Sequence, residues 1–307
     1  MSRVGRAASA DRVCGVDLVC VGDVMLDIRI DADTLRRGGD VHGRVLLQPG
    51  GTSANAAVWG AWAGAATRVL GRVGDDLQGR TVRATLTERG VDAALTADPG
   101  SATGTMLVVH EPGERSMVAD RGANARLAPT DLPDAIQAGA VLVSGYLVLQ
   151  EPGHDAGVAA LQRADASFVA VESASWPLVE HVGADTFFGA TAAANVVLAN
   201  DREAEVLTGR SGVEAAAVLG ERYRWAAVKM DERGAALCAD GAVIVAPAEP
   251  IDEVDPTGAG DAFDGVLLAS LARGVPAEEA LARACHAGAL VAATSAAWPE
   301  LAVTRHV

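Results

Sequence analysis

Short apolar runs that alternate with amphipathic segments constrain this chain more than any other feature. Asp17-Leu-Val-Cys-Val-Gly22 is brief, rich in valine and closed by glycine, as expected of a strand buried on both faces of a parallel sheet. Thr67 to Val73, Ala140 to Ser144, Phe168 to Val171, Val196 to Ala199 and Trp225 to Met230 repeat the pattern. Helical periods separate them: Ser53 to Ala63, Asp76 to Arg89 before a capping Gly90, Gly153 to Ala164, Asp201 to Leu207 and Val213 to Arg222. Such alternation calls for an α/β fold, a central mostly parallel sheet flanked by helices.

Two segments break this rhythm. Residues 28–48 and 105–119 carry short alternating stretches with turn signals such as Glu111-Pro-Gly113. They are expected to pair as strands outside the main sheet, a small β lid over one edge. The chain then becomes helical from Gly258, with Phe263, Val266, Leu267, Ser270 and Leu271 on one face, a stop at Gly274 and a second helix from Pro276 to about Ala293. No repeat or linker divides the chain. The expected organisation is a flexible extension over residues 1–15 and one domain over residues 16–307.

Charge narrows the partners. A net charge of −15 excludes a nucleic-acid or anionic-membrane surface, which needs a basic face. It also steers anionic substrates poorly, so a phosphate site must be built locally from backbone donors. Cys14, Cys20, Cys238 and Cys285 form no CxxC pair, and the six histidines no HxxxH spacing. Reduced thiols in a cytoplasmic protein without a zinc site are the expectation. The arginines near the start precede no apolar targeting segment, and no apolar run approaches the ~20 residues that span a bilayer.

The chemistry concentrates in Val254-Asp-Pro-Thr-Gly-Ala-Gly-Asp-Ala-Phe263. A glycine-rich turn enters a helix, and Gly258, Ala259 and Gly260 let an anion approach the unpaired N–H groups of its first turn. Asp261 follows directly, where a carboxylate can accept the proton of an attacking hydroxyl. Phe263 stands where a dinucleotide loop would need glycine, and no GxxxxGK[ST] loop occurs. Asp27 falls just past the end of the first strand, where open α/β sheets bind ligands; it also reads as a turn aspartate, and Gly50-Gly51 as a hairpin-type turn. Asn200-Asp-Arg-Glu203 reads as a capping box.

Asp255-Pro-Thr-Gly-Ala-Gly-Asp261 resembles the C-terminal signature of the ribokinase-like (PfkB) carbohydrate kinases. Pro49-Gly-Gly-Thr-Ser-Ala-Asn-Ala56 resembles the family's N-terminal signature, and Gly71 to Gly79, Gly122-Ala-Asn-Ala125 and Asn200-Asp-Arg-Glu203 resemble segments that follow in the same order. The likeness spans about Asp17 to Ala293. It implies a ribokinase-like fold and transfer of the ATP γ-phosphoryl group to a hydroxyl, with Asp261 as base and Gly258, Ala259 and Gly260 as anion hole. Asp27, Gly50, Gly51, Asn55 and Asn124 would line the sugar pocket. Asn200, Glu203, Lys229, Gly234, Gly258 and Gly260 would serve the nucleotide, Glu203 holding Mg2+ through water. Asp255 resembles a residue that helps bind a monovalent cation, K+, in some members. A homodimer built on the lid is also implied.

Three departures bear on the site. Asp231 stands where the family commonly has a glycine near the ATP phosphates. Ser295-Ala-Ala-Trp-Pro299 lacks a glycine often found beside the adenine, and Glu172 replaces the usual Asp or Asn. The resemblance leaves the acceptor open between sugars and nucleosides. A catalytically silent sugar- or nucleotide-binding homologue is the rival reading.

Overall fold

The computed structural model describes residues 15–32, 34, 38–111, 114–294 and 296–299. The extension expected over residues 1–15 therefore lies, but for Gly15, outside the described residues.

Nine strands form the central sheet. From one edge to the other they run Ala242–Ala246, Ala235–Ala239, Trp225–Lys229, Val196–Asn200, Phe168–Glu172, Ala140–Val143, Leu18–Val21, Thr67–Gly74 and Val91–Asp98. All neighbouring pairs are parallel except two: Ala235–Ala239 is antiparallel both to Trp225–Lys229 and to Ala242–Ala246, the latter joined to it by a hairpin through Asp240-Gly241. Burial on both faces explains the composition. Leu18 and Cys20 point into a core with helices Thr52–Trp62, Ala259–Ala272 and Ala277–Ala292, while Val19 and Val21 point into the opposite core with helices His154–Arg163, Asp201–Thr208 and Gly212–Leu219. Each fully buried Leu or Val stabilises the fold by roughly 1.5–3 kcal/mol.

The lid exists as a separate four-stranded sheet ordered Arg44–Gly50, Met25–Asp31, Thr105–Glu111, Glu114–Asp120. The chain reaches it by a kink at Gly22, whose φ of 137° puts it outside the range of ordinary side chains; a Cβ there would stand 2.7 Å from Ser144 Cβ. Asp27 is thus a strand residue, paired with Gln48 and Met106, which removes the turn reading. Gly50 and Gly51 form a strand-to-helix corner, Gly50 ending the lid strand and Gly51 capping helix Thr52–Trp62 with φ 95°, which removes the hairpin reading. Among the described residues no helix is long and apolar enough to cross a membrane.

Candidate active site

Helices Thr52–Trp62 and Ala259–Ala272 approach so closely that a Cβ on Gly265 would lie 2.1 Å from Ala56 O. That contact brings Asn55, one residue before Ala56, against Asp261, one turn before Gly265. Asn55 Nδ2 donates to Asp261 Oδ2 at 2.7 Å. Asp261 is half-buried in the first turn of its helix, behind Gly258 with φ 88° and ψ −3°. Burial pushes its carboxyl up to about 7; the Asn55 amide pulls down, Asp264 adds to the rise, Lys229 opposes it and Asp27 adds again. A carboxyl poised there suits a general base working near neutral pH.

The lid supplies the other wall. Asp27, Arg29, Gln48 and Val108 face Asp255, Thr257 and Ala297 across a cleft. Gly50 makes room for Asp27, since a Cβ at Gly50 would sit 2.2 Å from Asp27 Oδ2. Burial alone lifts the Asp27 carboxyl to about 7. Arg29 Nη1 donates to Asp255 Oδ2 at 2.7 Å and Nε to Asp31 Oδ1 at 3.2 Å. Asp255 Oδ1 in turn accepts from the N–H and hydroxyl of Thr257 at 3.0 and 2.7 Å, so one carboxylate both opens the glycine turn and grips the lid. The position to which the family likeness attaches a monovalent cation carries a guanidinium here.

On the opposite side Lys229 Nζ reaches both oxygens of Asp264 at 2.9 Å, and a Cβ on Gly260 would lie 3.4 Å from that ammonium. Its positive charge stands directly beside the turn. Burial opposes that charge, yet Asp264, Glu203 and Glu172 together hold the ammonium pKa above its ordinary value. Asn200 and Glu203 form a complete capping box, with Asn200 Oδ1 accepting from Glu203 N and Glu203 Oε2 accepting from Asn200 N, both at 2.9 Å. Glu203 Oε2 also accepts from Ser173 Oγ at 2.6 Å. Burial drives Glu172 well above the usual carboxylate range and Glu203 adds to the rise.

The pfkB family carbohydrate kinase model matches residues 16–300. The chain belongs to the pfkB family. This pfkB kinase is 31% identical over 270 residues to a fructokinase of Klebsiella pneumoniae, covering 83% of this chain and 85% of the relative. It is 31% identical over 291 residues to an ATP-dependent ribose-1-phosphate kinase of Halopiger xanaduensis, covering 90% and 92%. In fold it superposes on the adenosine kinase of Sinorhizobium meliloti with a TM-score of 0.84 at 23% identity, over 94% of this chain and 97% of that one.

Within this pfkB kinase the expected residues fall into three groups. Asp27, Gly50, Gly51, Asn55, Asp255, Gly258, Ala259, Gly260 and Asp261 converge on the cleft and the glycine turn. Lys229 and Asn200 end strands beside them, and Glu203 lies in the first turn of helix Asp201–Thr208. Asn124 serves as a buried latch, its Oδ1 accepting from Val24 N at 3.0 Å and its Nδ2 donating to Asp23. Gly234 answers to packing: a Cβ there would lie 2.0 Å from Ala246 O. Asp231 keeps the left-handed conformation with φ 50° and is exposed.

Sequence reasoning missed Arg29, Asp264 and Trp298. Arg29 lies two residues past Asp27, hence on the same strand face, and Asp264 lies three past Asp261; both spacings were readable once the elements were assigned. Trp298, whose Nε1 donates to Asn55 Oδ1 at 2.6 Å, left no local signal.

Proposed function

We propose that this kinase transfers the γ-phosphoryl group of ATP to a hydroxyl of an uncharged carbohydrate, with Asp261 as base. One observation carries the reading: a carboxyl poised near neutrality, held by an amide, at the mouth of a glycine turn that opens a helix. Asp261 takes the proton of the acceptor hydroxyl as that oxygen attacks the γ-phosphorus and ADP departs. The N–H groups around Gly258, Ala259 and Gly260, with Lys229 beside them, hold the charge spread over the transferred group. Asp27 accepts from acceptor hydroxyls and fixes the nucleophile in line.

Among the described residues no cluster of three or more His, Cys, Asp or Glu is placed to hold a metal by itself. Magnesium would come with the nucleotide and would supply charge neutralisation at the phosphates, Glu203 being the residue that would meet its waters. The cleft favours neutral acceptors because its one cation in the described lining, Arg29, is already engaged by Asp31 and Asp255 and burial favours an uncharged Asp27.

The lid also supports a homodimer. Ile28, Ile30, Val45, Leu47, Leu107 and Val118 occupy the face opposite Asp27 and Arg29, and Val45, Leu47 and Val118 are more than half exposed. In this reading a second copy covers that face.

The test is ADP release from Mg-ATP across neutral sugars, sugar phosphates, sugar acids and nucleosides, with Asp261→Asn alongside. Turnover of a neutral sugar that is lost in the variant supports the reading. An anionic or nucleoside acceptor corrects the substrate class, and ligand binding without turnover on any acceptor gives the silent homologue its case.

A further inference from the structure

The segment Ala296 to Pro299 crosses the mouth of the site and is tied down at three points. Trp59 Nε1 donates to Ala297 O at 2.8 Å, the Arg89 guanidinium donates to Pro299 O, and Trp298 Nε1 donates to Asn55 Oδ1 at 2.6 Å. Arg89 also stands 5.7 Å from the centre of the Trp298 ring. The segment packs on the glycine turn as well, since a Cβ on Gly258 would lie 3.0 Å from Ala297 Cβ.

Asn55 therefore sits between two partners, its oxygen toward Trp298 and its nitrogen toward Asp261. An asparagine amide carries an acceptor and a donor of nearly equal shape, so its orientation must be set by its neighbours. An indole N–H can only donate. It accepts no bond from the amide nitrogen, so it permits one orientation of Asn55 and disfavours the flipped one. In the flipped orientation the amide oxygen would face the Asp261 carboxylate, oxygen against oxygen.

We propose that Trp298 is a positioning residue for the phosphoryl-transfer base, its indole N–H locking the Asn55 amide so that a donor always faces Asp261. The proposal rests on Asp261 being that base. The chain of bonds runs Trp298 to Asn55 to Asp261 and joins residues far apart in the sequence. Other charged groups also act on Asp261, namely Asp264 on its own helix, Lys229 from the central sheet and Asp27 from the lid, and Asp261 in turn raises Glu172 and Cys20. None of them depends on the indole, which makes its contribution separable.

Trp298→Phe keeps an aromatic ring and removes the N–H. The acidic limb of the pH profile of kcat should move up by about one pH unit, the size of one hydrogen bond to a charged group. From a limb at about 7, that is about an eightfold loss at pH 6.5 and almost none at pH 9. The shift should vanish in an Asn55→Leu background, because the indole acts only through the amide. A loss equal at every pH, or the same shift without Asn55, overturns the proposal.

A second readout needs no turnover. The indole N–H resonance of Trp298, identified by its absence in Trp298→Phe, should titrate near pH 7 in the unsubstituted protein and lose that titration in Asp261→Asn. If the resonance titrates although no acceptor is phosphorylated, the relay stands and the kinase reading fails. A resonance unmoved by pH refutes the relay whatever the enzyme turns over.

Discussion

Replacing Arg29 by methionine tests whether the lid and the glycine turn are held as one unit. The Arg29 and Asp255 side chains are 11% and 5% exposed, and their charged atoms lie 2.7 Å apart. At an effective dielectric of about 20, unit charges 4 Å apart attract by about 4 kcal/mol. Removing one partner of a buried pair leaves the other charge uncompensated and costs about 3–5 kcal/mol. At about 2–4 °C per kcal/mol for a large domain, the melting temperature should fall by roughly 10 °C. Because Asp255 also accepts from Thr257, the glycine turn should loosen, lowering kcat more than it raises the acceptor KM. Adding Asp255→Asn keeps the Thr257 bonds and neutralises the carboxylate that faced Arg29, so the double variant should recover more than half of the lost stability. The assay is a double-mutant cycle by thermal or urea unfolding with kinetics in parallel. A loss below about 1 kcal/mol, as for an exposed pair, or a double variant no better than the single one, would refute the reasoning.

Other expectations follow from single contacts. Gly265→Ala should part the two helices that bring Asn55 to Asp261, because its Cβ would lie 2.1 Å from Ala56 O; a displacement of about 1 Å at the base can cost about 100-fold in kcat, read by kinetics with a melt as control. Asp231→Gly keeps a left-handed position now held by a carboxylate and should tighten ATP binding several-fold at low salt, with the gain fading as salt screens the charge; calorimetry with ATP checks it. Burial raises Asp27 and Asp261 to about 7. The folded state therefore holds their protons more tightly than the unfolded chain, and their stabilisation is full below about pH 4 and lost as pH rises through about 7. Melts from pH 5 to 8 should show that decline, and Asp27→Asn with Asp261→Asn should flatten it.

How much of this was legible depends on whether the cause was local. Ala140–Val143 and Phe168–Glu172 are buried on both faces, so burial left continuous apolar runs that any reading finds. Val91–Asp98 at the sheet edge is buried only at Val91, Leu95 and Asp98, so no period of two marks it, and its alanines and aspartates hide it. The hairpin joining Ala235–Ala239 to Ala242–Ala246 was missed although Asp240-Gly241 suits a tight turn, with φ of 48° and 84°. In the site, the turn from Gly258 to Asp261 is a contiguous motif and read directly. Arg29 meets Asp255 across 226 residues and Trp298 meets Asn55 across 243. Pairings at such separations imprint no spacing on the sequence.

The clamp on Asn55 also orders events during synthesis. A ribosome that has made the lid strand and the first helix has produced Asp27 and Asn55, yet the glycine turn proposed to cradle the phosphates and the indole proposed to orient the amide both come after residue 250. Domains fold as the chain emerges, and the earlier strands can pair while synthesis continues. A partly made chain can thus take on much of its shape before the proposed base, Asp261, exists. The groups that would complete the proposed site are thus the last to be made.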